Sequence, residues 1–171
     1  EWAMQQINPD EYDAVAVVDA DTTVMPNMLE AMTGSFELGA DAVQLHYQFV
    51  PGDESGVSLL QYIGSLVENH LFHKPRALMG MMGFLRGSGM AVRMEVLHVH
   101  PWDSHSITED VDYSLRLVRE GYDVAFNGSS AVESPSTVDY EQAQTQKSRW
   151  VSGTYALIAD HFLPLIGTAL K

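Results

Sequence analysis

The sequence predicts an α/β fold, and three observations carry that prediction. Segments patterned as strands alternate along the chain with segments patterned as helices, as in a domain of layered sheet and helices. The first apolar segment, residues 14–18 (AVAVV), is continuously apolar, as a strand buried on both faces requires. Pro26, Gly39 and Gly121 punctuate the joints between segments.

Each element follows in order. The opening EWAMQQINPDEYD reads as the last turns of a helix stopped near Asn8-Pro9. Residues 14–18 form a short, fully buried strand, which places Asp19 and Asp21 at the C-terminal end of a central strand. MPNMLEAMTGSFELG (25–39) is a helix with Pro26 near its start and Gly39 as C-cap. ADAVQLHYQFV (40–50) is a second strand of alternating character. SLLQYIGSLVENHLFHKPRALMG (58–80) is a long helix that Pro75 ends or bends. FLRGSGMAVR (84–93) is a strand broken by Gly87 and Gly89. EDVDYSLRLVREG (109–121) is an amphipathic helix with Val111, Leu115 and Val118 as its inward stripe. YDVAFN (122–127) is a strand, and VDYEQAQTQKSRWVSGTYALI (138–158) a final helix. No repeat or low-complexity linker divides the chain, so residues 1–171 are expected to be one domain.

Composition bounds the function. The 171 residues are 46% hydrophobic, enough for a real core. Acidic residues number 23 against 9 basic ones, a formal charge of −14. Nucleic acid is excluded as a partner, because its backbone calls for clustered Lys and Arg. Surplus carboxylates suit a divalent cation, though most serve only as solvated surface. Cysteine is absent, so the chain offers neither a thiolate nucleophile nor cysteine-ligated zinc. No apolar run reaches about 18 residues, so no transmembrane helix is expected within the chain.

Four stretches hold chemistry. Asp19 and Asp21 stand at i and i+2, which face the same way in an extended chain. Two converging carboxylates raise each other's pKa unless a cation offsets the repulsion, and Mg2+, Mn2+ and Ca2+ favour such oxygen ligands. The plainer reading is a turn carrying two aspartates. In SITEDVDYSL, Thr108 stands at a helix start, with Glu109, Asp110 and Asp112 in the first turn. They are either charge–dipole capping groups or include a general base at a pocket rim. In QTQKSRW, Gln146, Arg149 and Trp150 share one helix face. Arg can clamp phosphate oxygens and Trp can stack on a sugar, although a surface helix with one core Trp would read alike. Gly87-Ser88-Gly89 lets backbone approach a ligand, or forms a bulge. His70, His73, His98, His100 and His105 match no zinc spacing and read as structural or surface groups.

In their order and spacing, Asp-Ala-Asp after a buried strand, Gly-Ser-Gly, Thr108-Glu109-Asp110 and Gln146-x-x-Arg149-Trp150 make the chain resemble the family 2 inverting glycosyltransferases. The nearest look is to the membrane-embedded branch of cellulose, chitin and hyaluronan synthases. The resemblance runs from about Asp13 to about Gly153. It implies a partial GT-A fold, a Rossmann-like mixed sheet flanked by helices. It implies Mg2+ or Mn2+ as cofactor, with Asp21 the direct metal ligand and Asp19 on the metal or the nucleotide. Asp110 would be the catalytic base. Gln146 and Arg149 would hold the donor diphosphate. Trp150, Phe84, Gly87, Ser88, Gly89 and Glu109 would line the acceptor side. The partners implied are a nucleotide-sugar donor (a UDP-sugar) and a saccharide or lipid-linked acceptor, at the cytoplasmic face of a membrane.

The family's domain begins with roughly two further β-α units, about a hundred residues, and those are missing here. The chain is therefore expected to be a fragment, inactive alone, that self-associates through the apolar surface left bare. Residues 154–171 read as a membrane-interface segment. Two rivals stand beside this reading. VVDADTT fits the Asp-x-Asp-x-Thr pattern of haloacid-dehalogenase-type phosphatases, with Asp19 as nucleophile and Asp21 as acid/base. That fold also needs a later Lys, and Lys74 alone precedes Glu109-Asp110 in a helix-like stretch. The other rival is a non-catalytic acidic module that binds metal or a partner.

Overall fold

The computed structural model describes residues 6–51, 55–103, 107–137 and 139–169. Among these, the strands are β1 (Ala14–Val17), β2 (Thr23–Val24), β3 (Ala42–Val50), β4 (Met90–Arg93) and β5 (Val124–Pro135). The helices are α1 (Met28–Glu37), α2 (Gly56–Val67), α3 (Lys74–Leu78), α4 (Met94–Val99), α5 (Glu109–Arg119) and α6 (Tyr140–Ala169). A π-helical turn, Glu68–His73, joins α2 to α3.

The strands form one mixed sheet in the order β1-β4-β3-β5-β2. β3 and β5 are parallel, while β4 is antiparallel to both of its neighbours, β1 and β3. β1, β3 and β5 therefore run the same way and end at one edge of the sheet. In an open α/β sheet that edge is where ligands bind.

Side-chain alternation sorts the core into two layers. Ala42, Met90, Val92 and Val124 face a cluster completed by Val96 and Leu97 of α4 and by Tyr113 and Leu117 of α5. Val43, Leu45, Ala91 and Val132 face the other way, onto Ala31 and Met32 of α1. This two-sided burial explains why β3 opens as a run of four buried residues.

Several elements differ from expectation. β1 is an edge strand of the described sheet, and it is half exposed rather than fully buried, because β4 covers one of its edges alone. β5 runs on to Pro135, past the end at Asn127 that the sequence suggests. Its register with β3 shifts between Leu45 and His46, so Gly128–Ser130 bulge out while pairing resumes at Ala131. Asn127 holds the bulge by accepting from the Ser129 amide at 2.9 Å. β4 begins only at Met90, because Gly87 and Gly89 have φ of 74° and 68° and cannot continue a strand. The inward face of α5 is Tyr113, Ser114 and Leu117, with Val118 packing beside them, instead of a Val111–Leu115–Val118 stripe. Pro75 does not end the helical run; it follows directly on the π-helical turn, in the first turn of α3, which continues to Leu78. α4 and β2 have no counterpart in the sequence reading. The expected N-terminal helix end falls largely on residues 1–5, outside the described residues; Pro9–Glu11 form a 3-10 turn.

Gly89 has no room for a side chain. A Cβ there would stand 2.4 Å from Val132 Cγ2, on a backbone with φ +68°. Gly89→Ala is therefore expected to destabilise the fold by about 3 kcal/mol, from overpacking together with left-handed strain. A denaturation midpoint equal to the parent's would contradict this packing.

Candidate functional site

Asp19 and Asp21 follow β1 at the edge where β1, β3 and β5 end. They do not lie on extended chain: the Thr22 amide donates to the Asp19 carbonyl at 3.0 Å, closing a turn. The two residues therefore do not share a strand face, but the turn still presents both carboxylates to one cavity of about 780 Å³. Both are exposed, and neither has an ion-pair partner among the described residues.

The turn is held from below by the loop before β4. Ser88 is fully buried, and its Oγ accepts from the Asp19 amide at 3.1 Å. The same hydroxyl lies 3.2 Å from Thr22 Oγ1, which is 2.7 Å from Ser134 Oγ at the end of β5. Gln44 of β3, also fully buried, secures the loop itself. Its Nε2 donates to the Ser88 carbonyl at 2.8 Å, and its Oε1 accepts from the Arg86 amide at 2.7 Å. A buried loop must have its backbone groups satisfied, and one amide side chain does much of that here.

Asp110 stands in the first turn of α5, facing a second cavity of about 660 Å³. Ser114 Oγ joins this helix to the loop, donating to the Asp110 carbonyl at 2.8 Å and accepting from the Leu85 amide at 2.7 Å. A Cβ on Gly87 would lie 3.5 Å from Asp110 Oδ2, so the absent side chain leaves the carboxylate open. Burial pushes the Asp110 carboxyl up to about 6, against the Val111 amide, which donates to Oδ1 at 2.7 Å. Glu109 adds repulsion. A carboxyl poised near neutrality is the form a general base takes.

α6 closes the site. Gln146, Arg149 and Trp150 line the first cavity from one helix face, and Trp150 also lines the second. The helix docks closely on α5 because Gly153 lacks a side chain; a Cβ there would meet Thr108 Cγ2 at 2.8 Å. Leu157 and His161 continue the buried stripe, and His161 Nε2 meets Asp112 Oδ1 at 2.7 Å. Asp19, Tyr47, Phe49 and Trp150 border both cavities, so the two are neighbouring parts of one depression.

A family profile described as "Glycosyl transferase family group 2" matches residues 14–169. The chain belongs to glycosyl transferase family group 2. Among curated proteins it is similar to the beta-monoglucosyldiacylglycerol synthase of Trichormus variabilis, with 28% identity over 166 residues, covering 94% of this chain and 35% of the relative. The protein of the same name from Nostoc sp. matches to the same extent. That from Synechocystis sp. is 24% identical over 151 residues, covering 88% of this chain and 32% of its own length. The chain thus spans about a third of the length of these relatives.

Within this glycosyltransferase domain, the structure gathers Asp19, Asp21, Gln146, Arg149 and Trp150 around one cavity, and Glu109, Asp110 and Gly87 around the other. Ser88 and Gly89 do not line either cavity; both are buried and act as support beneath it. Phe84 is also outside the lining and lies under the Arg76 guanidinium, 5.5 Å from its ring centroid. Lys74, which the phosphatase alternative needs, is exposed and borders neither cavity, and the family match overturns that alternative. His73 is buried and stacks on Phe126 at 5.3 Å; His105 lies outside the described residues.

The sequence reading missed Tyr47, Phe49, Glu68 and Arg86, all of which line the second cavity. The alternation of β3 could have shown that Tyr47 and Phe49 share a face. Arg86 adjoins the glycine pair, but nothing in the sequence marks it as buried. Nor does anything mark Glu68 as its partner.

Ser88→Ala removes the acceptor for the Asp19 amide and the tie to Thr22. The expected cost is about 1–2 kcal/mol in stability. Amide hydrogen exchange should quicken at Asp19 more than in α1. Unchanged protection at Asp19 would show that the turn does not depend on this hydroxyl.

Proposed function

We propose that the intact protein transfers a sugar from a nucleotide-diphosphate donor, a UDP-sugar, to a hydroxyl of a lipid acceptor, inverting the anomeric centre. One observation carries this reading: a carboxylate with raised pKa, Asp110, faces the same depression as the Asp19–Asp21 turn and the Gln146–Arg149–Trp150 face. In the proposed reaction Asp110 takes the proton of the acceptor hydroxyl. The acceptor oxygen attacks the anomeric carbon as the bond to the diphosphate breaks. Inversion needs base and leaving group on opposite sides of that carbon, and two adjoining cavities, with Asp110 in one and Asp21, Gln146 and Arg149 in the other, are consistent with it. Arg149 and Gln146 bind the diphosphate, and Trp150, at the border of both cavities, stacks on a sugar.

The donor set suits a magnesium or manganese ion. Asp19 and Asp21 offer hard oxygens from a single turn, and Mg2+ is typically held by one or two carboxylates plus substrate phosphates and water. Among the described residues no group of three or more His, Asp or Glu could hold a metal alone, so Asp19 and Asp21 would hold the ion together with phosphate oxygens and water. When bound, the ion offsets the charge that gathers on the departing diphosphate.

The acceptor follows the relatives, which are named as synthases of a glucosylated diacylglycerol. That favours a lipid over a growing polysaccharide. Among the described residues no helix is long and apolar enough to cross a membrane. α6 does expose Val151, Tyr155, Ile158, Phe162 and Ile166 at helical spacing, which supports contact with the cytoplasmic face of a membrane. For the isolated chain we propose no turnover, and self-association through such exposed apolar surface. Light scattering during size-exclusion chromatography tests the latter, and a monomer across a wide concentration range would count against it.

Asp110→Asn in the intact protein is expected to lower transfer by about a hundredfold to ten-thousandfold while nucleotide binding persists. The base works only when deprotonated, so with Asp110 near 6 the rate should fall as pH drops through about 6 and level off above it. Near-normal turnover by the Asn variant would sink the assignment.

A further inference from the structure

Arg86 is the only basic side chain lining the Asp110 cavity among the described residues, against four acids: Asp19, Glu68, Glu109 and Asp110. Its guanidinium is mostly buried, and its bonds run to the π-helical turn. Nη2 donates to Glu68 Oε2 at 3.0 Å, and Nη1 lies 3.3 Å from Asn69 Oδ1. Asn69 is itself fixed, since its Nδ2 donates to the carbonyls of Tyr47 at 2.6 Å and Ser65 at 2.7 Å. The Tyr47 ring lies 5.7 Å from the guanidinium carbon.

The next residue along the chain, Gly87, is the one that abuts Asp110. Arg86 thus shares a cavity with both Glu68 and Asp110, and its hydrogen bonds run to the π-helical turn. π-helical turns inside α-helices are frequent at functional sites.

We propose that Glu68 is a positioning residue that holds the Arg86 guanidinium away from Asp110, leaving that carboxylate free for the acceptor proton. The inference rests on Asp110 being the base. An Arg–carboxylate pair at Asp110 would occupy the lone pairs that must take the proton, and would weaken the carboxylate as a base. Arg86 already acts on Asp110 at a distance, in the lowering direction, though less than burial raises it. Glu68 also faces the buried His73, whose Nε2 lies 3.6 Å from Oε1, while Arg86 is its shorter contact at 3.0 Å.

The test uses the intact protein and the pH profile of kcat/KM. Glu68→Gln releases Arg86 toward Asp110. The expected result is about a tenfold loss in kcat, with the acid limb moved below pH 6. Adding Arg86→Met removes the released cation, so the double variant should recover kcat relative to Glu68→Gln and return the limb to about 6 or above. Arg86→Met alone should keep the limb at or above the parent's, which gives a second reading if Glu68→Gln does not fold. A double variant worse than Glu68→Gln, or a limb unmoved in Glu68→Gln, would overturn the inference while an inactive Asp110→Asn leaves the proposed base standing. Turnover by Asp110→Asn would overturn both.

Discussion

The site depends on one buried loop, Arg86–Gly89. It reaches the aspartate turn, Asp110 and the central strand at once. Ser88 supports the Asp19 amide, Gly87 faces Asp110, and Gln44 of β3 ties the loop backbone into the sheet. Gly89 lies directly against Val132 of β5. At Gly89 nothing larger than a hydrogen fits against Val132. The loop's conformation is over-determined, and it locates three functional groups from different parts of the chain relative to one another.

The charge arrangement follows from that geometry. The chain carries −14 overall, and carboxylates crowd the ends of its parallel strands and the start of α5. They are not all alike. Asp19 and Asp21 sit exposed in a turn, where a cation and water can reach them. Asp110 sits deeper, and desolvation raises its proton affinity. Tyr47, between the two cavities, has its hydroxyl pKa raised by burial first and by Asp19 and Asp21 as smaller causes, with Ser134 and Arg86 opposing. Placing like residues in unlike surroundings gives acid–base roles that the residue types alone do not.

Much of the fold class was legible because strand and helix periodicities are local. The alternating strand β3, the helix ended by Gly39 and the helix begun at Glu109 all follow from patterns within a dozen residues. The misreadings have tertiary causes. β1 looks central because Ala and Val dominate it, but edge or centre depends on pairing, which the strand's own sequence does not record. The strand at 122–127 looks complete in its own sequence, yet β5 continues to Pro135 because pairing with β3 resumes at Ala131 beyond a bulge. The candidate site residues were legible through spacing, and most of those named do gather at one sheet edge. Ser88 and Gly89 reveal the limit of that approach: proximity in sequence to a site says little about which side of the wall a residue occupies. Arg86 and Glu68 were invisible because their pairing joins positions 18 residues apart through a π-helical turn that no periodicity announces.

α6 is a single helix of 30 residues, about 45 Å long at 1.5 Å per residue. Its described anchorage to α5 is confined to a short stretch around Gly153, Leu157 and His161. Mechanically it is a lever with a fulcrum at Gly153. Gln146 lies about 10 Å to one side of that point, so a tilt of about 5° displaces it by about 1 Å. The far arm carries the exposed apolar stripe and Pro164, where one backbone donor is missing. Whatever surface that arm rests on thereby gains purchase on the cavity-lining residues Gln146, Arg149 and Trp150, and in an active site a misplacement of about 1 Å is enough to cost catalysis about a hundredfold.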